Sequence, residues 1–168
     1  MSLRHAVLGL LASRPSTGYD LAQRFQGSLA SAWHASHSQI YPELARLQEE
    51  GMIEVVGEGP RRSRTWAITG EGREELRRWM TEIEPSRIQR NETGVRWFLL
   101  GFLDSTDRRV VLERELAFVA EDTARLQTIA ERLDTAPEPG PFRPTVDLGL
   151  RVSEVMHAWL QDQLDALD

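Results

Sequence analysis

The segment SHSQIYPELARLQEEGMIE, Ser36–Glu54, joins a polar turn, an amphipathic helix and the start of a β-strand. Three apolar residues recur along it at helical spacing and predict its buried face, because residues three and four apart share one side of a helix. These residues are Ile40, Leu44 and Leu47. Gly51 follows them and predicts the end of the helix, since glycine readily adopts the left-handed conformation found at helix C-termini.

The first turn of this helix is polar, and its starting point has two interpretations. Ser36 and Gln39 form a capping-box pattern, in which the two side chains satisfy free backbone N–H groups. Ser38 is an alternative N-cap. Pro42 favours this later start, because a proline deep in a helix removes a hydrogen bond and clashes with the preceding turn.

Signals on both sides of this segment complete an order of elements. Thr17 and Asp20 form a capping box ahead of a short second helix, and Thr69 is expected to cap a fourth. Two short apolar runs surround the turn GEGPRRS and predict a β-hairpin, called the wing from here on. The predicted helices span residues 3–13, 19–26 and 70–84, and the predicted strands span 52–56 and 64–69. Three helices, a hairpin and a helix make up a winged helix-turn-helix.

The second half of the sequence predicts further helices. A long helix after residues 104–107 carries apolar residues at alternating spacings of four and three, which is typical of a coiled-coil seam. A proline-rich loop at 135–144 separates it from a last helix. The sequence thus predicts a mainly α protein with a small β-hairpin wing. Its expected domains are a winged-helix DNA-binding domain at 1–84 and a helical dimerisation and effector-binding domain at 85–168.

The partner of the long seam is open between two interpretations. We expect a second copy of the chain, because three helices with one strict seam cannot bury every apolar stripe alone. The alternative is a seam against the last helix of the same chain, as in single-chain bundles. The predicted dimer contacts are Leu112, Leu116, Val119, Leu126 and Leu133.

Composition limits the classes of function. The net charge is −6, but residues 1–80 hold ten arginines and nine acidic residues, whereas residues 81–168 hold ten and seventeen. Nucleic-acid contact therefore belongs to the first half. Cysteine is absent, which excludes disulfides and thiolate chemistry. The N-terminal apolar stretch is short and lacks an A-x-A cleavage site, so we expect a cytoplasmic protein with no membrane partner.

Polar and basic side chains predict a DNA-binding surface in the first domain. Helix-turn-helix proteins set the start of the third helix in the major groove, where glutamine and serine can read base edges. Arginines on a wing suit phosphate or minor-groove contacts. Each candidate also has a local explanation: capping for the first turn, packing for Tyr19, an ion pair for Arg46 and a solubilising turn for the wing. The candidates are Tyr19, Ser36, His37, Ser38, Gln39, Tyr41, Arg46, Arg61, Arg62 and Arg64.

The remaining motifs argue against catalysis and metal binding. A Gly-rich phosphate loop, H-E-x-x-H and G-x-S-x-G are all missing from the sequence. His34 and His37 are three residues apart but lack cysteine or acidic ligands at metal-binding spacing. We expect no enzyme, no cofactor and no metal site. An aromatic set in the second domain either lines an effector pocket or is plain core, namely Trp97, Phe98, Phe102, Met156 and Trp159.

Short motifs distributed over residues 3–82 closely resemble the PadR family of transcriptional regulators. They are LGLL at 8–11, GY at 18–19, IYPxL at 40–44, Leu47, EG at 50–51 and TxxG at 69–72. The resemblance implies a homodimeric repressor that binds an inverted repeat and leaves it when a small molecule binds, with phenolic acids and antibiotics as inducer classes. It also implies DNA contacts at Gly18, Tyr19, the Ser36–Tyr41 turn and the wing arginines. The second half resembles the longer helical domain of one PadR subgroup in length and helicity.

These observations predict a ligand-responsive repressor. Its expected partners are an inverted-repeat DNA operator, a second copy of the chain and a small aromatic or drug-like effector. The alternative is a winged helix that serves as a protein-interaction module without a specific operator. DNA affinity that depends on Gln39 and Tyr41 distinguishes the first from the second.

Overall fold

The computed structural model describes residues 2–25, 37–60, 63–86, 91–135 and 141–167. The chain divides into two compact units, Met1–Pro85 and Ser86–Asp168. Ser36, Arg61 and Arg62 of the predicted DNA-binding surface lie outside the described residues, as does His34. Within the described ranges, no helix is both long enough and apolar enough to cross a membrane.

The first unit is a winged helix-turn-helix, which confirms the predicted fold class. Strands β2 and β3 form the wing, and α3 is the helix of the opening segment. The helices are α1 (Ser2–Ser13), α2 (Gly18–Arg24), α3 (His37–Glu49) and α4 (Gly70–Glu82), and the strands are β1 (Ser16–Thr17), β2 (Ile53–Glu58) and β3 (Arg64–Ile68).

The sheet contains a third strand that sequence reasoning missed. Its order is β1-β3-β2, with both pairs antiparallel. Ser16 pairs with Trp66 and Thr17 with Thr65, so the short link between α1 and α2 is hydrogen-bonded to the base of the wing. A strand of two residues shows no alternation of apolar and polar side chains, and periodicity therefore could not reveal it.

One hydrophobic core supports the first unit. Ile40, Leu44 and Leu47 are 0%, 1% and 0% exposed, which confirms the predicted buried face of α3. They belong to a set of buried apolar residues drawn from α1, α2 and the residue after it, α3, β2 and β3. The buried residue of α4 is Gly72. The other core members are Val7, Leu8, Leu10, Leu11, Leu21, Ala22, Phe25, Ile53, Trp66 and Ile68.

Several element ends differ from the predicted ones. Helix α3 begins at His37 with Pro42 inside it, so the later start at Ser38 is wrong. Burial of the apolar face holds the helix despite the hydrogen bond that the proline removes. Helix α4 ends at Glu82 rather than residue 84, because Ile83 is already extended. Strand β2 also runs further than predicted, to residue 58.

A tight joint links the end of α3 to the start of α4. Gly51 has φ +73°, and the N–H of Met52 donates to the carbonyl of Leu47 at 2.9 Å. The Thr69 hydroxyl donates to the Gly51 carbonyl at 2.7 Å and accepts from the Gly72 N–H at 3.1 Å. A Cβ on Gly72 would lie 2.1 Å from the carbonyl oxygen of Met52. Helix α4 therefore approaches the backbone of the link between α3 and β2 more closely than a side chain at Gly72 would allow.

The second unit is helical, as the sequence predicts. Its first helix is capped by Asn91, whose side chain accepts from the Gly94 N–H at 3.0 Å. The predicted cap after residue 103 is confirmed, since Asp104 accepts from the Asp107 N–H at 2.9 Å. The elements are α5 (Glu92–Leu99), a 3₁₀ turn (Leu100–Phe102), α6 (Ser105–Asp134) and α7 (Arg143–Asp165).

The apolar seam of α6 is covered by α7 of the same chain. Leu112 and Val119 are 0% and 4% exposed, and they form one buried cluster with Leu160 and Leu164. Leu116 is partly buried against this cluster. These α6 residues thus contribute to the core of a single chain.

Leu126 and Leu133 continue the seam toward the end of α6. The side chain of Leu126 lies against α7, because a Cβ on Gly149 would come 3.1 Å from its Cδ1. Leu133 is half-buried near the end of α6. Leu112 and Val119 are buried, and Leu116 and Leu126 are half-buried against α7, so the intramolecular alternative accounts for this part of the seam within one chain. The assignment of these residues to dimer contacts stays a prediction.

Candidate DNA-binding surface

The beginning of α2 presents a tyrosine on a firmly capped turn. The Thr17 hydroxyl accepts from the Asp20 N–H at 3.2 Å, and the Asp20 carboxylate accepts from the Thr17 N–H at 3.3 Å, which confirms the predicted capping box. Tyr19 is 59% exposed, and its hydroxyl accepts from the Gln23 amide at 3.1 Å. The phenol therefore stands at the surface, where it can donate to an acceptor such as a phosphate oxygen.

The first two turns of α3 place polar side chains outside and apolar ones inside. His37 is the first helical residue, and Ser38 and Gln39 are exposed. Ile40 points into the core, whereas Tyr41 is 47% exposed. The predicted residues of this turn that the structure describes therefore share one helix end, which has the polarity needed to read base edges.

Gly18 lies under Tyr41 rather than on the surface. It is buried, and a Cβ at this position would lie 2.7 Å from Cε1 and 2.9 Å from Cζ of Tyr41. The ring thus packs closely against the backbone at the start of α2. Gly18 is next to the predicted contact residues, but it offers no exposed side chain of its own.

Arg46 makes the local ion pair that the sequence favoured. Its guanidinium donates to the carboxylate of Glu43 at 3.2 Å. The Glu43 side chain is nearly buried, whereas that of Arg46 is largely exposed. Pairing neutralises an acidic group that would otherwise face a polyanion, and Arg46 stays at the surface of α3.

The wing carries its described arginine at the start of β3. Arg64 is exposed, and the Gly59 N–H donates to the carbonyl of Ser63 at 2.7 Å where the hairpin closes. Behind it, the Trp66 indole N–H donates to the Gln48 side chain of α3 at 3.5 Å. This bond and the joint at Thr69 hold the wing against the end of α3.

Arg24 is a positioning residue that sequence reasoning missed. Its guanidinium donates to the carbonyl of Leu10 at 3.0 Å and to the hydroxyls of Ser16 and Ser13 at 3.2 and 2.6 Å. Burial and the nearby charge of Arg14 lower the pKa of Arg24. The side chain ties the end of α1 to α2, and its partners are eight to fourteen residues away. No local pattern could have indicated them.

The predicted effector residues separate into two groups. The rings of Trp97 and Trp159 are 5.4 Å apart and tilted by 48°, and Met156 packs beside them on the core of the second unit. Phe98 and Phe102 are each 84% exposed. Among the described residues of this unit, no element covers these two side chains, and they do not line a pocket there.

A groove in the second unit is lined by none of these five residues. It measures about 390 Å³ and runs between α6 and α7, with Ala120 and Ala124 on one side and Ser153 and His157 on the other. Small side chains on both helices leave this space open. As for metals, the described part of the chain contains no group of three or more His, Asp or Glu residues arranged to hold an ion.

Comparison with known proteins now adds to this geometry. Residues 7–78 match the family described as "Transcriptional regulator PadR-like family". The chain belongs to the PadR family. Residues 89–168 match a second family, "Virulence activator alpha C-term", so one family match falls in each compact unit. The resemblance stated from short motifs is therefore confirmed, and the chain is a PadR-type transcriptional regulator.

PadR proteins of Bacillus subtilis are among the relatives. The chain is 29% identical over 144 residues to "Negative transcriptional regulator PadR" of that organism, which covers 83% of this chain and 79% of the relative. The crystal structure of Bacillus subtilis PadR with operator DNA superposes with a TM-score of 0.82 at 26% identity, over the whole of both chains. The same protein with p-coumaric acid gives 0.80 at 26% identity, over 99% of this chain and 95% of that one.

Proposed function

We propose that this PadR-family protein is a homodimeric repressor that binds an inverted-repeat operator and leaves it when a small-molecule effector binds. On this proposal it acts in the cytoplasm and has no catalytic site, no cofactor and no membrane partner. The observation that carries the proposal is the group of exposed polar side chains at the start of α3, next to Tyr19 at the start of α2.

The chemistry of this surface suits double-stranded DNA. Gln39 can bond adenine through both ends of its amide, and Ser38 can reach a base edge or a phosphate. Tyr19 and Arg64 supply phosphate contacts on either side of the helix, which fix its register in the groove without reading sequence. The operator complex of Bacillus subtilis PadR, whose fold this chain shares, supports the same use of the unit.

Two uncovered apolar faces of the second unit support a dimer. Monomeric proteins rarely expose contiguous apolar surface, and α7 carries its stripe at spacings of four, three and four, which suits pairing of helices. We assign both faces to contact with a second copy. The residues are Val95, Phe98, Leu99 and Phe102 on α5 and the 3₁₀ turn, with exposures of 45% to 84%, and Leu148, Val152, Val155 and Trp159 on α7, with exposures of 39% to 71%.

A dimer explains why the operator would be an inverted repeat. Two copies related by a twofold axis present two α3 helices, and they bind half-sites about 34 Å apart, one turn of DNA. Such a complex blocks transcription when its site overlaps a promoter. The negative regulation named for the Bacillus subtilis relative supports repression over activation.

An effector can release DNA only through a preference for one dimer geometry. A ligand that binds two conformations equally shifts neither, so it must favour the state in which the two α3 helices no longer match the groove. We place the effector at the aromatic pair Trp97 and Trp159. The Trp97 indole N–H is buried without a hydrogen-bond partner in the described chain, and it could donate to a carboxylate of an aromatic acid. The p-coumaric acid complex of Bacillus subtilis PadR supports this class of ligand.

Fluorescence anisotropy on the protein's own upstream DNA tests the proposal. We expect sequence-selective binding that weakens steeply with salt, because phosphate contacts release counterions. Gln39→Ala and Tyr41→Ala should each weaken operator binding by about tenfold, as expected for a lost base or phosphate contact. Glu49→Ala is the matched control, since it is exposed at the other end of α3.

The outcomes separate the two functions left open by the sequence. Selective binding that Gln39→Ala weakens and Glu49→Ala leaves unchanged would establish a DNA reader. Equal, weak binding to operator and scrambled DNA, followed by failure of selection from a random DNA library, would favour the protein-interaction module.

Release by a ligand needs its own measurement. Titration of p-coumaric acid into the protein–DNA complex should lower the anisotropy and quench tryptophan fluorescence over the same concentration range. Trp97→Phe keeps an aromatic ring, although a smaller one, but removes the N–H donor, and it should raise the p-coumaric acid concentration needed for release. A response that is identical in the variant would place the effector elsewhere, for example in the groove between α6 and α7.

A further inference from the structure

The absence of a side chain at position 18 has a spatial cause. Gly18 is the first residue of α2, with Thr17 as the N-cap. Among the described glycines only Gly51 has positive φ, so the backbone at position 18 does not require glycine. Alanine is preferred to glycine within helices. Local preferences therefore favour a side chain here, and something else must exclude it.

The ring of Tyr41 occupies the space that a side chain would need. An ideal Cβ on Gly18 falls 2.7 and 2.9 Å from two ring carbons and 3.2 Å from the hydroxyl oxygen. Contacts below about 3 Å are inside the van der Waals range, so either the ring or the helix would have to move. Tyr41 comes from α3, twenty-three positions later, and is 47% exposed. One side of its ring rests on Gly18 while the rest stays open to solvent.

We propose that Gly18 is a positioning residue for DNA recognition, because it forms the flat seat that fixes the ring of Tyr41. This inference rests on the proposed function, in which Tyr41 contacts DNA. In it, Gly18 itself touches no DNA. Its role is to hold the tyrosine in one orientation. It also lets α2 and α3 pack at the distance that a tyrosine ring in contact with the α2 backbone sets.

The proposal predicts a loss of binding without loss of the fold. Tyr41 is half-exposed and can swing outward, whereas its neighbours Ile40 and Leu44 anchor α3 in the core. Gly18→Ala should therefore displace the ring and leave the core intact. We expect about tenfold weaker operator binding, the effect of misplacing one contact residue.

A double-mutant cycle separates seating from direct contact. Gly18→Ala is measured in the wild-type chain and in a Tyr41→Ala chain, where no ring remains to be displaced. We expect the tenfold loss in the first and less than about a twofold change in the second. Gly9→Ala is the matched control, since a Cβ there meets nothing within 4 Å and should leave binding unchanged. An equal loss in both backgrounds, or no loss in either, would overturn the proposal.

The ring position can also be observed without DNA. The chain has two tyrosines, so a Tyr19→Phe variant leaves Tyr41 as the single tyrosine ring signal in a labelled NMR spectrum. Gly18→Ala should shift that signal and Gly9→Ala should not. An unshifted signal would refute the seat itself. If Gly18→Ala shifts the signal but the wild-type protein binds no operator, the proposed function is contradicted and the packing of Tyr41 on Gly18 still holds.

Discussion

The two units of this chain differ in how completely each covers its own apolar side chains. Among the described residues, the first unit buries thirteen apolar residues and exposes five large ones, whereas the second buries seven and exposes eleven. The winged helix therefore closes its core within one chain. Within its described residues, the helical unit leaves apolar faces on α5 and α7 uncovered, as the proposed division into a DNA-binding unit and a dimerisation unit requires.

The close packing of the first unit gives the largest expected effect. Gly72→Ala would place a Cβ 2.1 Å from the Met52 carbonyl oxygen and close to Ile68, with backbone on one side. We expect it to lower the free energy of unfolding by about 3 kcal/mol, as overpacking does. Urea denaturation measures this. Gly70→Ala is the control, because its Cβ meets nothing within 4 Å. Equal stability of the two variants would contradict the close packing of α4 against the backbone at Met52.

The open faces of the second unit provide the next test. Replacing Phe98 and Phe102 together by Ser should weaken dimerisation by about 2 kcal/mol, roughly thirtyfold in dissociation constant, because buried aromatic anchors dominate interfaces. Sedimentation equilibrium measures the shift from dimer to monomer. Val56→Ser is the control, since Val56 is 52% exposed on the wing and should not affect assembly. An unchanged dissociation constant would show that these two phenylalanines lie outside the dimer interface.

Loss of a helix cap should lower the stability of the protein more in the first unit than in the second. Thr69→Ala removes a hydroxyl that bonds both α4 and the end of α3, and we expect a loss of about 1 kcal/mol in stability. Asn91→Ala removes a cap that bonds only its own helix, with an expected loss of about 0.5 kcal/mol. Thermal unfolding of both variants, with Thr69→Ser as the control that keeps the hydroxyl, tests this order. A larger loss of stability for Asn91→Ala than for Thr69→Ala would contradict the expected order.

The smallest effect expected is a dependence of stability on pH in the first unit. Hydrogen bonds from His5 and then Arg78 hold the pKa of Glu75 below its usual value. A lowered pKa in the folded state stabilises the protein above the unfolded value, and this contribution is lost as pH falls through the folded value. Glu75→Gln should therefore cost about 0.5 kcal/mol at pH 7 and progressively less below about pH 4.5.

Urea titrations at several pH values measure this difference between Glu75→Gln and the wild type. Glu49→Gln, an exposed carboxylate on α3, is the control. A cost that stays constant between pH 7 and pH 3 would show that Glu75 contributes by packing rather than by charge.

Sequence reasoning succeeded where the information was local. The buried face of α3 follows from the spacing of Ile40, Leu44 and Leu47, and the cap of α2 follows from two residues three positions apart. It failed where a distant partner decides the outcome. The periodicity of α6 shows that a face is apolar, but it does not show whether α7 or a second chain covers it.

The exposed phenylalanines and the seat of Tyr41 illustrate the same limit. The spacing of Phe98 and Phe102 suggested an enclosed pocket, yet both side chains lie outside the core of the unit. Gly18 was assigned by resemblance to a DNA contact, whereas its packing partner is a ring twenty-three positions later in the chain. Contacts of this kind depend on tertiary structure, which no short motif encodes.

Thr17 belongs to two elements at once, as a strand residue paired with Thr65 and as the N-cap of α2. A mechanical load on the wing is therefore transmitted through one residue into the first turn of α2, while Thr69 transmits it to the end of α3. The start of α2, the end of α3 and the base of the wing are thus joined by hydrogen bonds through these two threonines. We expect a force on the wing to reach both helices together.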